Sequence, residues 1–162
     1  MSRVCVVSDT HHTGDRPLPS FVLESIEREK PDVIAHCGDI VDPELLEELE
    51  RIAPVVAVKG NADYLNLPES TVIDVDGVRV GLVHGHNVIP LNSQTLAYRA
   101  LEMEVDVLLF GHTHRFYSET VSFHGRRILL LNPGSPTKPN FDSPSFAILR
   151  IPSMDVKRVV LW

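Results

Sequence analysis

Apolar residues fall along this chain in short runs, and most runs end in a polar loop that carries glycine, aspartate or histidine. Val4 to Ser8 is apolar and rich in β-branched residues, which predicts a strand buried on both faces. Val33-Ile34-Ala35, Val55 to Val58 and Val105 to Phe110 read the same way. Between them the period lengthens. Over 18–30, Phe21, Val22 and Ile26 are expected to face inward and Glu24, Glu27 and Arg28 outward, an amphipathic helix that Pro31 ends. A second helix follows Pro43, with Leu45, Leu46, Leu49 and Ile52 as its inner face. A third is expected over 93–104, capped by Ser93, with Leu96, Ala97, Ala100 and Leu101 inward.

Strand, helix, strand, helix, strand at this spacing predicts parallel βαβ units. Right-handed crossovers then bring the loops after the first three strands to one edge of the sheet. Further on, turn pairs appear between facing apolar runs. Asp76-Gly77 separates 71–75 from 78–83, and His124-Gly125 separates 120–123 from 127–131, each a hairpin signal. A loop is expected over 132–145, then an antiparallel pair, 146–151 and 156–161, across Pro152-Ser153. No repeat or linker interrupts the pattern, so residues 1–162 are read as one domain.

Composition narrows the function. The chain is 43% apolar and 23% charged, ordinary for a soluble globular protein. Its net charge of -7, with no basic cluster beyond pairs such as Arg126-Arg127, argues against a duplex-binding or long single-strand surface. No run is long enough for a membrane helix and no leader pattern precedes the first strand, so no membrane partner is expected. Two isolated cysteines, Cys5 and Cys37, read as free thiols in a reducing, cytoplasmic setting. An acidic chain acts on phosphates when bound cations invert the local field.

The loops supply the means to bind such cations. Asp9-Thr10-His11 follows the first strand, His36-Cys37-Gly38-Asp39 the second and Gly60-Asn61-Ala62-Asp63 the third. His84-Gly85-His86 and Gly111-His112-Thr113-His114 follow two later strands. In extended chain, residues two apart point the same way, so His112 with His114, and Asp9 with His11, are each expected to face one volume. Imidazole with carboxylate suits Mn, Fe, Zn, Ni or Co. The groups are too many for one tetrahedral zinc. They suit two divalent ions, about 4 Å apart and sharing one carboxylate, the usual device for displacement at phosphorus. Spacing alone does not choose between His84 and His86.

In this order the five blocks resemble the calcineurin-like metallophosphoesterases, and the chain's length resembles their small single-domain phosphodiesterase branch. Asn132-Pro133-Gly134-Ser135 is similar to a loop of that branch, and the resemblance runs from residue 4 to about residue 151. It implies an α/β fold, a four-layer α/β/β/α sandwich of two mixed sheets. It implies a phosphodiesterase acting on a small phosphodiester through a hydroxide held between two metal ions, with manganese the expected metal. One ion would take Asp9, His11, Asp39 and His114, and the other Asp39, Asn61, His84 and His112. The match selects His84 over His86. It leaves His86 as a catalytic candidate beside Asp39 and Asn61, and His12 as either substrate-facing or an exposed loop histidine. Ala62 departs from the pattern. Many relatives carry a histidine there, thought to protonate the leaving group or hold the phosphate, so slow turnover on poor leaving groups is expected. Relatives of this type are often homodimers or homotetramers.

His84 to Pro90 and Gly111 to His114 also resemble the retromer scaffold subunit, in which this fold serves chiefly as a protein-binding surface. That implies an alternative role for Val88, Ile89 and Pro90 as a partner patch. A complete ligand set favours the enzyme. Arg115 and Lys138 are either contacts for a small anion or solvated surface.

Overall fold

In the computed structural model, which describes residues 1–162, the apolar runs become the strands of two five-stranded sheets. The first is built from β1 (Ser2–Val7), β2 (Val33–His36) and β3 (Val55–Ala57), all parallel, with α1 (Ser20–Arg28) and α2 (Glu44–Glu50) as crossovers. The second holds β5 (Val78–Val83), β6 (Val107–Leu109) and β8 (Arg126–Pro133) in parallel. It is flanked by antiparallel β4 (Ser70–Val75) and β7 (Phe116–Phe123), and α3 (Ser93–Met103) connects β5 to β6. The chain returns to the first sheet as β9 (Ser145–Ile151), antiparallel to β1, and closes with β10 (Asp155–Val160). The orders are β10-β9-β1-β2-β3 and β4-β5-β6-β8-β7, so both sheets are mixed.

Strand alternation sorts the core into three layers. Val4 and Val6 of β1 meet Leu82, Leu109 and Leu131 of the other sheet in the central cluster. Their neighbours Cys5 and Val7 face the opposite way, onto Val22 and Ile26 of α1 and Leu45 and Leu49 of α2. Leu108, Ile128 and Leu130 likewise turn outward onto Leu96 and Ala100 of α3. The result is helices, sheet, sheet, helix. It explains why the inner strands carry unbroken apolar stretches such as Val4 to Val7 and Ile128 to Leu131: each is covered on both faces. Burying each Val or Leu contributes roughly 1.5–3 kcal/mol.

Local details differ from expectation. Phe21 is 43% exposed and packs edge-on to Trp162, so α1 turns only Val22 and Ile26 fully inward. The cap of α3 is Asn92, not Ser93: its side chain accepts the Thr95 N–H at 2.9 Å and Thr95 answers with a bond to the Asn92 N–H. β7 begins at Phe116 rather than near 120. Its outer residues, Ser118 to Thr120, face solvent and carry no apolar signal. Asn132 and Pro133, expected in a loop, complete β8. No helix is long and apolar enough to cross a membrane.

Candidate metal centre

All five ligand-bearing loops leave the C-terminal ends of parallel strands, β1, β2 and β3 in one sheet and β5 and β6 in the other. Ligand sites of α/β sheets lie at that edge. The central cluster packs the two sheets face to face, so the two edges meet.

The way the side chains converge was not legible as strand alternation. Asp9, His11, Asp39, His112 and His114 all have positive φ, from 45° to 73°. The pairs Asp9/His11 and His112/His114 are therefore left-handed turns, not extended chain. Such a conformation in a non-glycine residue costs on the order of 1–3 kcal/mol and persists only where its surroundings enforce it. For Asp9, His11 and Asp39 a backbone ladder ties the two loops together: Asp9 N–H donates to the Gly38 carbonyl, His11 N–H to Asp39 and His12 N–H to Ile40, each at 2.9 Å.

Asp9 is fully buried. Its Oδ2 accepts from Ser8 Oγ at 2.7 Å and from the His112 N–H at 3.0 Å. Its Oδ1 has no hydrogen-bond partner and lies 3.3 Å from His114 Nε2 and 3.8 Å from His84 Nε2. Burial pushes this carboxyl up, but the His114 contact and the His84 charge outweigh it and hold it below the usual range. Asp39 Oδ1 accepts the Ala62 N–H at 2.9 Å, while Oδ2 faces His84 Nε2 at 3.3 Å and His11 Nε2 at 3.6 Å. Burial also raises Asp39, and the His84 contact and the Ala62 amide bring it down to about 2.

The imidazoles are oriented from behind. His84 Nδ1 donates to the Cys37 carbonyl at 2.8 Å and His114 Nδ1 to the Lys138 carbonyl at 2.6 Å. A carbonyl only accepts, so both rings carry their proton on Nδ1 and present Nε2 to the interior. At His84 that nitrogen meets Asn61 Oδ1 at 3.0 Å, Asp39 Oδ2 and Asp9 Oδ1. Lone pairs aimed at one another need a cation or a proton between them. Burial depresses His84, yet the Asp39 contact and the Asp9 charge raise its affinity for a proton above the ordinary value. The donor set therefore fits a cation. Donor atoms of Asp9, His11, Asp39 and His114 all lie within 4.8 Å of one another. His11 Nε2, like Asp9 Oδ1, is buried without a partner. Asn61 Oδ1 touches His84 Nε2, and the His112 ring is centred 5.1 Å from that of His84. The seven ligand candidates thus lie together around the carboxylates of Asp9 and Asp39.

The other candidates separate. The His86 ring lies 5.5 Å from His84 and 6.4 Å from His112, and its Nδ1 is buried without a partner. His12 does not face the site: it is 3% exposed, and its Nδ1 accepts the Leu18 N–H at 2.8 Å, tying the loop to the chain before α1. Cys5 and Cys37 are free and buried, and burial pushes both thiols well up.

A model of the calcineurin-like phosphoesterase superfamily domain matches residues 2–154. The chain belongs to the calcineurin-like phosphoesterase superfamily. It is 47% identical to a probable metallophosphoesterase of Methanocaldococcus jannaschii over 138 residues, 83% of this chain and 68% of that protein. It is 39% identical to a probable metallophosphoesterase of Methanothermobacter thermautotrophicus over 151 residues, 90% of this chain and 84% of that one. Among solved structures, Vps29 of Entamoeba histolytica complexed with zinc superposes with a TM-score of 0.80, at 29% identity over 98% of each chain. An archaeal phosphodiesterase superposes at 0.78, covering 98% of this chain and 99% of that one; at 23% identity it shares the fold.

Several residues outside the expected ligand set hold this phosphoesterase site in place. Asp63 accepts from the backbone N–H groups of Asp39, Val41 and Gly60 at 2.9, 2.7 and 2.9 Å, and so builds the Asp39 loop. Asn132 Nδ2 donates to the Gly111 carbonyl and to Thr113 Oγ1, bracing the His112–His114 turn. Ser135 and Thr137 donate to the carbonyls of Asp9 and Thr10, and so join the loop after β8 to the loop after β1. Gly60 and Gly111 are small for a reason of space: a methyl group at Gly60 would strike the Asp39 carboxylate, and one at Gly111 would strike Ser8 and Asp9.

Proposed function

We propose that this chain is a metal-dependent phosphodiesterase with a dinuclear centre. Asp9, His11, Asp39 and His114 would hold one divalent ion, Asp39, Asn61, His84 and His112 the other, with Asp39 shared. The observation that carries the reading is the pair of buried, unpartnered donors, Asp9 Oδ1 and His11 Nε2, among carboxylates and imidazoles already oriented by bonds from behind. Two such ions supply Lewis acidity toward phosphoryl oxygens and make water acidic enough to attack at neutral pH; manganese and nickel suit the donors.

The chain's own residues do the rest. The carbonyls of Cys37 and Lys138 keep the His84 and His114 Nε2 atoms aimed inward. The Ala62 amide fixes the Asp39 rotamer. Ala62 has no side chain that can give a proton, so His86, with Nδ1 free of any protein partner, is the residue we assign to the leaving group. Activated diesters then suffer least from the missing histidine, because a good leaving group needs no proton.

The test is release of p-nitrophenol from bis-p-nitrophenyl phosphate by purified protein in Mn²⁺ or Ni²⁺. Turnover that chelation removes supports the proposal, and background rates in both metals reject it. A second reading, a binding scaffold, draws on the likeness to Vps29 and on Ile89, which is 82% exposed on the loop after His86. Val88 is only half-buried, packed toward the α3 cluster, so the apolar surface there narrows to Ile89 and Pro90. A chain that binds two ions but leaves the diester intact would favour that reading.

A further inference from the structure

The proposed centre accounts for one phosphate. Beside it, on the His11 side, lies a cavity of about 220 Å³ whose wall includes Thr10, His11, Arg16, Thr137, Lys138 and Trp162. His11 belongs to both places: it walls the cavity, and its Nε2 lies 3.6 Å from Asp39 Oδ2. The cavity thus adjoins the proposed metal centre across His11. It is smaller than the roughly 300 Å³ at the low end for a whole small-molecule ligand, so it suits one arm of a ligand.

Its charge has one sign. Arg16 and Lys138 contribute to the wall and no carboxylate does. In a chain of net charge -7 this is a marked local excess. Four cations of the chain form ion pairs, Arg99 with Glu102, Arg126 with Asp106, Lys157 with Glu29 and Arg158 with Asp142. Arg16 and Lys138 pair with no carboxylate. Both stand on ordered backbone. Arg16 N–H donates to Thr13 Oγ1 at 2.9 Å, and its carbonyl accepts the Thr13 N–H at 3.1 Å. Lys138 N–H donates to Ser135 Oγ at 2.8 Å, and its carbonyl orients His114. One backbone segment therefore places a candidate metal ligand and a free cation side by side.

We propose that this cavity holds a second phosphate of the substrate, so that the preferred substrate is a phosphodiester with a further phosphate on one ester arm. The proposal rests on the metal centre taking the scissile phosphate. Arg16 and Lys138 are then specificity residues that bind the second phosphate and take no part in the displacement.

Trp162 gives a direct readout. It is the only tryptophan of the chain, it walls the cavity, and it is 64% exposed. In chelator-treated protein, titration with inorganic pyrophosphate is expected to change its fluorescence saturably. Arg16→Ala with Lys138→Ala should weaken that binding by up to about thirtyfold, taking roughly 1 kcal/mol as the upper end for each of the two exposed ion pairs. No saturable change, or equal binding by the double variant, overturns the proposal. With Mn²⁺ present, the p-nitrophenyl ester of thymidine 5′-phosphate is compared with the same ester carrying a 3′-phosphate. The leaving group is identical, so a lower KM for the second, erased in the double variant, is the expected result, and equal KM values overturn it. If neither ester is cleaved, the phosphodiesterase reading fails, while the cavity is still judged by the fluorescence.

Discussion

The Asp63 carboxylate accepts the backbone N–H of Asp39 at 2.9 Å, so the residue shared by both proposed ion sites is positioned by an acid that faces neither ion. The same carboxylate takes the N–H groups of Val41 and Gly60, and it is 4% exposed. Asp63→Ala leaves three donors without a partner. At about 1–3 kcal/mol for each buried unsatisfied group, the loss should reach about 3 kcal/mol or more in urea denaturation. Asp63→Asn keeps one acceptor oxygen and should lose less. Both variants should bind metal more weakly, with the alanine worse.

His36 makes the metal-free protein sensitive to acid. The ring is fully buried, its Nδ1 accepts the Gly38 N–H at 3.1 Å, and its Nε2 lies 3.0 Å from Thr10 Oγ1. Burial depresses it from 6.5 to about 4. The folded state therefore resists a proton that the unfolded chain takes up below 6.5. Stability from this group is complete above that pH and falls as pH drops toward 4. At 1.36 kcal/mol per pK unit the loss approaches about 3 kcal/mol near the lower limit. Chemical denaturation of metal-free protein at pH 7 and pH 4.5 should show it, and His36→Gln should flatten the difference. An unchanged pH profile in the variant would remove His36 as the cause.

Ala62→His should restore a proton donor where many relatives have one. Ala62 is half-buried and acts through its backbone N–H on Asp39 Oδ1, a bond the substitution retains. General acid catalysis is worth about 10²–10⁴-fold. We expect a gain of at least about tenfold on diesters with alkyl leaving groups and little change on p-nitrophenyl esters. Equal gains on both would point to better binding instead.

The strands were legible because burial on two faces leaves unbroken runs such as Val4 to Val7. The turn pairs Asp76-Gly77 and His124-Gly125 marked two hairpins that form, the second with longer strands than read. The loop chemistry was legible as residue types at strand ends, and the structure gathers those seven side chains into one cluster. Their geometry was not legible: five of them adopt positive φ, a conformation that glycine advertises and aspartate or histidine conceals. Asp63 and Asn132 act on backbone groups far along the chain, a relationship without a local pattern. The exposure of Phe21 depends on its contact with Trp162, which the helical period of residues 18–30 does not contain.

The sharing of Asp39 between two ions is the centre of the account, and metal counting tests it most directly. Protein equilibrated with Mn²⁺, gel-filtered and measured by mass spectrometry for metal content should hold two ions per chain. Asp39→Asn should hold less than one and should not cleave bis-p-nitrophenyl phosphate. A single ion in the unaltered chain, or two ions retained by Asp39→Asn, would contradict it.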